Sequence, residues 1–133
     1  MEQSSESKQA LAACNIMAFV PITDPERAKT FYRDTLGLRL IAEELPFAVI
    51  FDINGLMLRL AIYKELPVNP GTVLGWQVPD IASMVQELLS AGIRFERYSF
   101  LDQDELGIWA TPTGAKVAWF KDSEGNLLSV SQH

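Results

Sequence analysis

The side chains that most often carry out chemistry are few in this sequence and lie far apart. Its one histidine, His133, is the last residue, where fraying is expected, and its one cysteine is Cys14. Ser129 and Ser131 therefore lack a histidine to activate them, and the Cys14 thiol lacks an imidazole partner. The sequence predicts neither triad-type nucleophilic catalysis nor an internal disulfide.

Two acidic segments are the next candidates for a site. Asp122-Ser-Glu-Gly-Asn126 lacks the alternating carboxylates of a calcium loop, so we interpret it as a tight turn with Gly125 at positive φ. Asp102-Gln-Asp-Glu105 could face a cationic ligand, although such clusters are more often simply solvated. The sequence contains no glycine-rich phosphate loop of the P-loop or dinucleotide type.

The elements that must position these residues follow a repeated order along the chain. Asp24 is a favourable helix N-cap, and Pro25 at the first helical position loses no hydrogen bond. Apolar side chains at three- and four-residue spacing then predict a helix that ends at Gly37. Asn54-Gly55 predicts a tight hairpin. The first set of predicted strands comprises residues 15–23, 38–42, 47–53 and 56–63.

A second set of elements repeats this order after a proline-containing linker at residues 67–71. Asp80 caps a helix that ends at Gly92, and residues 98–106 form a longer acidic connection. Its predicted strands comprise residues 72–78, 93–96, 107–111, 115–121 and 126–131. The predicted organisation is a flexible leader (1–14), a first module (15–66) and a second module (72–133). Each module alone is too small to bury a good core, so we expect one domain.

Three stretches resemble a known pattern. They are Phe19-Val-Pro-Ile-Thr-Asp24 with its following helix, Gly75-Trp-Gln-Val-Pro-Asp80 with its following helix, and Ala118-Trp-Phe-Lys-Asp-Ser-Glu-Gly-Asn-Leu-Leu-Ser129. Together they are similar to the vicinal-oxygen-chelate superfamily of glyoxalases, bleomycin-resistance proteins and dioxygenases, and the Asp-x-x-Gly-Asn ending is the most specific part. The resemblance implies an α+β fold in which two βαβββ modules form a cupped mixed sheet around a cavity.

The resemblance also implies where a metal would be bound in the members that use one. Counted from the helix caps and the hairpin glycines, the four ligand positions fall at Met17, Val73, Arg59 and Ser129. Divalent ions prefer imidazole, carboxylate or thiolate ligands, and a guanidinium repels a cation. We therefore expect no metal site of the superfamily's kind and no cofactor.

The same resemblance implies an apolar cavity that would hold a small organic molecule. Its predicted ligand-binding residues are Met17, Phe19, Arg59, Val117, Trp119 and Ser129, with Tyr98 and Trp109 at the cavity mouth. Arg59 would orient an anionic or carbonyl group. Two alternatives stay open, because large aromatic side chains are often buried for packing alone, and Arg59 could face solvent.

Charge and composition narrow the possible partners. The net charge is −6, from 11 basic and 17 acidic residues. An acidic chain without a lysine and arginine cluster is expected to repel a phosphate backbone, so we predict no nucleic-acid partner. No apolar run has membrane-spanning length, and we expect a cytoplasmic protein. Apolar strands leave sheet edges that need covering, and small members of the superfamily commonly pair, so we predict a homodimer.

Two classes of function stay open from the sequence. The first is a metal-free protein that binds a small organic compound, with sequestration of that compound as one role. The second is an enzyme of the glyoxalase or dioxygenase type, metal-dependent if the ligand positions are misassigned. Without metal, the enzyme would need Arg59, Ser129 or Tyr98 as polar groups. Its base would be one of Glu43, Glu44 and Asp52, which the sequence does not bring into one site.

Overall fold

The structure is a computed structural model that describes residues 10–67 and 69–133. Residues 1–9 of the predicted leader and position 68 of the predicted linker lie outside these ranges. Residues Leu11–Ala13 form a short 3₁₀ turn ahead of the first module. The module boundaries stay predictions.

The first module has the predicted order of one strand, one helix and three strands. Asp24 caps the helix, since its carboxylate accepts a hydrogen bond of 3.1 Å from the Arg27 N–H. Asn54 and Gly55 turn the last hairpin at φ 50° and 90°, the left-handed values that this turn requires. The elements are β1 (Met17–Ile22), α1 (Pro25–Thr30) continued by a π-helical turn (Phe31–Thr35), β2 (Arg39–Glu44), β3 (Ala48–Ile53) and β4 (Leu56–Ile62).

The second module repeats this order of elements, but two of its predicted strands differ from the structure. Asp80 caps its helix as predicted, accepting from the Ser83 N–H at 3.2 Å. The predicted strand at 93–96 is wrong, because only Phe95 bridges to Phe120. The predicted strand at 107–111 is shortened to two residues that pair with the same neighbouring strand. The elements are β5 (Thr72–Gln77), α2 (Ile81–Ser90), β6 (Trp109–Ala110), β7 (Lys116–Lys121) and β8 (Leu127–Gln132).

The interrupted edge of β7 has a physical cause in the loop of residues 97–108. Its backbone groups are satisfied by side chains of the loop itself rather than by a ladder along β7. Arg97 donates to the carbonyl oxygens of Asp104 and Glu105, each at 2.6 Å. The chain therefore leaves β7 after Glu96, whose N–H donates to the Trp119 carbonyl, and returns to it at Trp109.

Two four-stranded mixed sheets result, and they confirm the predicted α+β class with two βαβββ modules. The N-sheet has the order β1-β4-β3-β2 and the C-sheet the order β5-β8-β7-β6. In each sheet the first and last strands of the module run parallel, and the other neighbours run antiparallel. No helix of the described ranges is long and apolar enough to cross a membrane.

One hydrophobic core joins the two modules on the side of the helices. Val20 and Tyr32 of the first module belong to the same buried cluster as Val85, Phe120 and Val130 of the second. Since successive side chains of a strand alternate, the remaining side chains point away from the helices. This second side is called the open face of each sheet.

The turn between β7 and β8 ties the two modules together. Gly125 has φ 92°, as a tight turn needs. The buried Asp122 carboxylate accepts from the Tyr32 hydroxyl at 2.6 Å, and burial followed by this carboxylate raises the pKa of Tyr32. The Asn126 side-chain amide donates to the Pro21 carbonyl at 2.8 Å. The most specific motif of the sequence is therefore a joint between the modules.

Candidate functional site

The open face of the N-sheet carries the first part of the predicted site. Met17 lies beside Met57, and Phe19 lies beside Arg59, across the parallel pair β1 and β4. Phe19 is 60% exposed, so it does not fill a core in this chain. Arg59 donates to a carboxylate oxygen of Glu44 at 2.9 Å, which partly neutralises the cation that was predicted to orient a ligand.

A cleft of about 380 Å³ opens on this side of the N-sheet. Met17, Met57, Ile50 and Asp52 are among its lining residues. Trp119 and Val117 do not line it, so the cleft does not bring the two halves of the predicted cavity together.

The open face of the C-sheet carries the second part of the predicted site. Trp119 pairs in register with Ser129, and Val117 pairs with Ser131 on one side and with Trp109 on the other. Phe120, the neighbour of Trp119 along β7, is buried in the core, which fixes Trp119 on the open side.

An aromatic cluster stands on this face. Trp109 stacks on Trp119 with ring centroids 6.1 Å apart and planes 28° apart. Tyr98 meets Trp119 edge to face at 5.6 Å, and Phe100 lies 5.5 Å from Tyr98. These are favourable geometries for aromatic pairs. Phe100 is 79% exposed, and the other three rings are half-buried. The aromatic cluster comprises Tyr98, Phe100, Trp109 and Trp119.

The cluster keeps polar donors available. Among the described side chains, the Tyr98 hydroxyl and the indole N–H groups of Trp109 and Trp119 make no hydrogen bond, and none of these atoms is buried without a partner. Burial, followed by the charge of Glu96, raises the pKa of Tyr98. Its phenol is therefore a neutral donor at physiological pH.

Small residues form the floor beside Trp119. Gly75 lies next to Ser129 in the parallel pair β5 and β8. A Cβ atom at Gly75 would lie 2.7 Å from the Ser129 Oγ, so a larger residue would displace that hydroxyl. The corresponding pair of the N-sheet is Phe19 and Arg59, which occupies the same register position with two large side chains.

The chain matches a known protein family. The family model of the Glyoxalase/Bleomycin resistance protein/Dioxygenase superfamily matches residues 14–130. The chain belongs to this superfamily. Comparison with curated proteins gave no match.

Several solved structures resemble this chain in fold. Lactoylglutathione lyase from Agrobacterium tumefaciens is 18% identical, with a TM-score of 0.69 over 90% of this chain and 93% of its own. TnmS3, an antibiotic binding protein from Streptomyces sp. CB03234, is 22% identical, with a TM-score of 0.68 over 90% and 95%. A superfamily member from Sphaerobacter thermophilus DSM 20745 is 21% identical, with a TM-score of 0.70 over 91% and 98%.

The donor set of this member of the superfamily does not fit a metal ion. Arg59 and Ser129 occupy matching register positions in the two sheets, beside Phe19 and Gly75 respectively. Neither a guanidinium nor a neutral serine hydroxyl replaces the imidazole or carboxylate ligands of such a site. In residues 10–67 and 69–133, no three His, Cys, Asp or Glu side chains are grouped to hold an ion.

His133 is the site residue that the sequence reasoning missed. Its Nε2 lies 3.0 Å from the Ser131 Oγ, so the expectation that neither serine has a histidine partner is wrong for Ser131. The signal was the i, i+2 spacing, which places two side chains on the same face of a strand.

One residue of the acidic segment at 102–105, Asp104, stabilises the loop in which it lies. The Asp104 carboxylate accepts from the Leu106 and Ile108 N–H groups, each at 2.9 Å, and so shapes the loop. Asp102 and Asp104 also border a cleft of about 570 Å³ beside the start of α2, and Lys116 is the one basic residue among the described residues that line it. This cleft lies on the helix side, away from the aromatic cluster, because Ala110 and Lys116 alternate with Trp109 and Val117.

Proposed function

We propose that the protein binds a flat, largely apolar organic molecule without a metal and holds it rather than converting it. The observation that carries this proposal is the aromatic cluster on the open face of the C-sheet, next to the floor of Gly75 and Ser129. Rigid aromatic side chains with free N–H and O–H groups offer stacking area and a few directional hydrogen bonds. TnmS3, whose fold is similar, is described as an antibiotic binding protein, which supports sequestration as the role.

The ligand would stack on Trp119, with Val117 and Ser129 beneath it and Tyr98 and Trp109 at its edges. Met17, Phe19 and Arg59 of the N-sheet would supply a second, softer wall. Thioether and phenyl groups adapt to an apolar surface, and the Glu44 partner leaves Arg59 less able to select an anion. A neutral planar compound therefore fits better than an anionic one.

The test is a fluorescence titration with 1-aminoanthracene, a planar neutral probe, on chelator-treated protein of measured metal content. We expect one probe per chain, metal well below one per chain, and binding unchanged by added Mn, Fe, Ni or Zn. Trp119→Ala is expected to weaken binding at least about 10-fold, since stacking on one aromatic ring contributes roughly 1–3 kcal/mol.

Two further variants locate the site. Phe19→Ala is expected to weaken binding only about 3-fold, as a contact on the second wall. Leu89→Ala, an exposed change on the helix side, is the control and leaves binding unchanged. Equal affinity in wild type and Trp119→Ala, or tight binding of one metal ion per chain, would contradict the proposal.

A second candidate function is a metal-free enzyme, and the contact between Ser131 and His133 favours it. Ser131 lies beside Val117 and two strands from Trp109, so a bound ligand could reach its hydroxyl. The imidazole is exposed and hydrogen-bonds no carboxylate in the described residues, unlike the oriented base of an efficient hydrolase. Turnover of p-nitrophenyl acetate that disappears in Ser131→Ala would favour the enzyme over the binding protein.

We also propose that two copies pair through the outer end of the N-sheet. Ile41, Leu45 and Phe47 lie at or next to the edge strand β2 and are 46%, 53% and 71% exposed. Contiguous apolar side chains on a sheet edge favour association. Sedimentation equilibrium is expected to give twice the chain mass, and Phe47→Glu to give the single mass. The cytoplasmic location and the absence of a nucleic-acid partner stay predictions.

A further inference from the structure

The loop of residues 97–108 sets the position of the aromatic cluster. Tyr98 and Phe100 belong to the loop, and Trp109 follows its last residue. Trp119 lies on β7, inside the sheet, so its position is fixed by strand pairing. The spacing and tilt of the other rings about Trp119 depend instead on how the loop is held.

The side chain of Gln103 links both ends of this loop. Its Oε1 accepts a hydrogen bond of 2.7 Å from the Tyr98 N–H. Its Nε2 donates to the Glu96 carbonyl at 3.0 Å and to the Gly107 carbonyl at 2.8 Å. One amide thus uses its acceptor and both donor hydrogens on backbone next to Tyr98 and Trp109.

The backbone of Gln103 adds a contact at the second aromatic residue. Gln103 and Trp109 form an isolated antiparallel bridge. Two carbonyl oxygens and one N–H surround the side chain, so only the amide orientation with Oε1 toward Tyr98 satisfies all three groups. A half-buried amide with this many partners is a rigid link.

The rest of the loop has its own supports. Arg97 binds the carbonyl oxygens of Asp104 and Glu105, and the Asp104 carboxylate binds two further backbone N–H groups. These contacts do not involve Gln103. A change at Gln103 is therefore expected to release the aromatic residues while the loop and the fold persist.

We infer that Gln103 is the positioning residue of the ligand site: it holds Tyr98 and Trp109 about Trp119 and so determines that planar ligands are preferred. This inference rests on the proposed function. Stacking needs parallel rings at van der Waals distance, so a small displacement of Trp109 weakens binding of a flat molecule. A rounded apolar molecule needs no such alignment.

The test compares Gln103→Met and Gln103→Glu with wild type. Methionine keeps the length and removes every hydrogen bond, whereas glutamate keeps the acceptor for Tyr98 and places a carboxylate against two carbonyl oxygens. Gln86→Glu is the matched control, because it makes the same charge change on the exposed side of α2. The readouts are the near-ultraviolet circular dichroism of the stacked tryptophans and the binding of two probes.

We expect both Gln103 variants to lose much of the near-ultraviolet tryptophan dichroism and to bind 1-aminoanthracene about 10-fold more weakly. Binding of 1-adamantanol, measured by its displacement of the planar probe, is expected to change less than about 2-fold. Gln86→Glu is expected to match wild type in every measurement.

Three results would overturn the inference. The first is unchanged dichroism and unchanged planar binding in both variants. The second is an equal loss for both probes together with a lower melting temperature, which describes a purely structural residue. The third is that the wild type binds neither probe and the Gln103 variants also leave the dichroism unchanged. Absence of binding to the wild type would by itself contradict the proposed function. A dichroism change without any wild-type binding would support the positioning role while rejecting the ligand.

Discussion

The two modules are alike on the side of their helices and differ on their open faces. Asp24 and Asp80 cap the two helices in the same way, each accepting from the N–H three residues later. Val20 and Phe120, from opposite modules, belong to one buried cluster. Packing into a shared core constrains this side of both sheets, because each core residue touches many others.

The open faces follow no shared pattern. At one register position the N-sheet places Phe19 beside Arg59, and the C-sheet places Gly75 beside Ser129. The edge strand β2 pairs with β3 along its length with one register shift between Leu40 and Ala42, whereas its counterpart in the second module is interrupted by the loop of residues 97–108. The aromatic cluster stands where the repeat is broken. A fold built from two repeated modules can change one open face without disturbing the shared core.

The last hairpins of the two modules also differ, and the largest predicted effect on stability lies in the second of them. The Asn54-Gly55 turn of the first module is a simple hairpin, whereas the Asp122 turn accepts four hydrogen bonds and reaches Tyr32 in the other module. Asp122→Ala leaves the buried Tyr32 hydroxyl unpaired, and we expect it to lower the free energy of unfolding by about 3 kcal/mol or more. Urea denaturation measures the loss.

Asn54→Ala is the matched change in the first module. It places alanine at φ 50° and is expected to cost about 1 kcal/mol from backbone strain alone. If Asp122→Ala and Asn54→Ala lowered the free energy of unfolding equally, the second hairpin would contribute no more than the first to holding the modules together. Tyr32→Phe, which removes one partner of Asp122, is expected to fall between them.

The two helix N-termini differ in the charge of the side chain that binds their backbone N–H groups, so their contributions to stability should depend differently on pH. The Glu124 carboxylate accepts from Thr23 Oγ1 and from the Thr23 and Asp24 N–H groups ahead of α1. Burial opposes its charge, but these hydrogen bonds and Arg27 prevail and lower the pKa of Glu124 below its ordinary 4.5. At α2 the Ile81 N–H is bound by Gln132, a neutral amide.

A lowered pKa in the folded state stabilises the protein above the unfolded value, and this stabilisation is lost as pH falls through the folded value. Glu124→Gln is therefore expected to lose about 1–2 kcal/mol at pH 7, with the gap to wild type narrowing below pH 4.5. Gln132→Met is expected to lose about 1 kcal/mol at every pH. If the stability difference between Glu124→Gln and wild type stayed constant with pH, the two helix N-termini would not differ in the way proposed.

The sequence predicted well whatever depends on local pattern. The Asp24 and Asp80 caps, the Asn54-Gly55 hairpin and the strand alternation around Phe120 are each determined by a few neighbouring residues. A longer connection at 98–106 was predicted, but the contacts that shape it were not, because Arg97 and Gln103 replace a strand ladder with side-chain bonds that have no periodic signature.

Equivalent positions in the two modules could be read from the sequence, whereas the contacts that their side chains make could not. The count from the hairpin glycines assigned Arg59 and Ser129 as ligand positions, and these two residues lie at matching register positions in their sheets. The partner of Arg59 was not predictable, since Glu44 is one of several acidic side chains on that sheet. The contact of Glu124 with Thr23 spans most of the chain, and no short-range rule predicts such a pair.

The smallest predicted effect concerns the small residues Gly75 and Ser129 on the open face of the C-sheet, where the N-sheet has Phe19 and Arg59. Gly75→Ala brings a methyl group to 2.7 Å from the Ser129 Oγ, which can rotate away, so we expect a stability loss of no more than about 1 kcal/mol. The methyl group also occupies space where the ligand would lie, so affinity for 1-aminoanthracene is expected to fall about 3-fold. Gly71→Ala, whose new methyl group meets only Asn69 Oδ1 at an ordinary 3.7 Å, is the control for glycine replacement and leaves affinity unchanged. If Gly75→Ala binds the probe as wild type does, the small residues beside Trp119 are not the floor of the site, and the contrast with Phe19 and Arg59 has no bearing on binding.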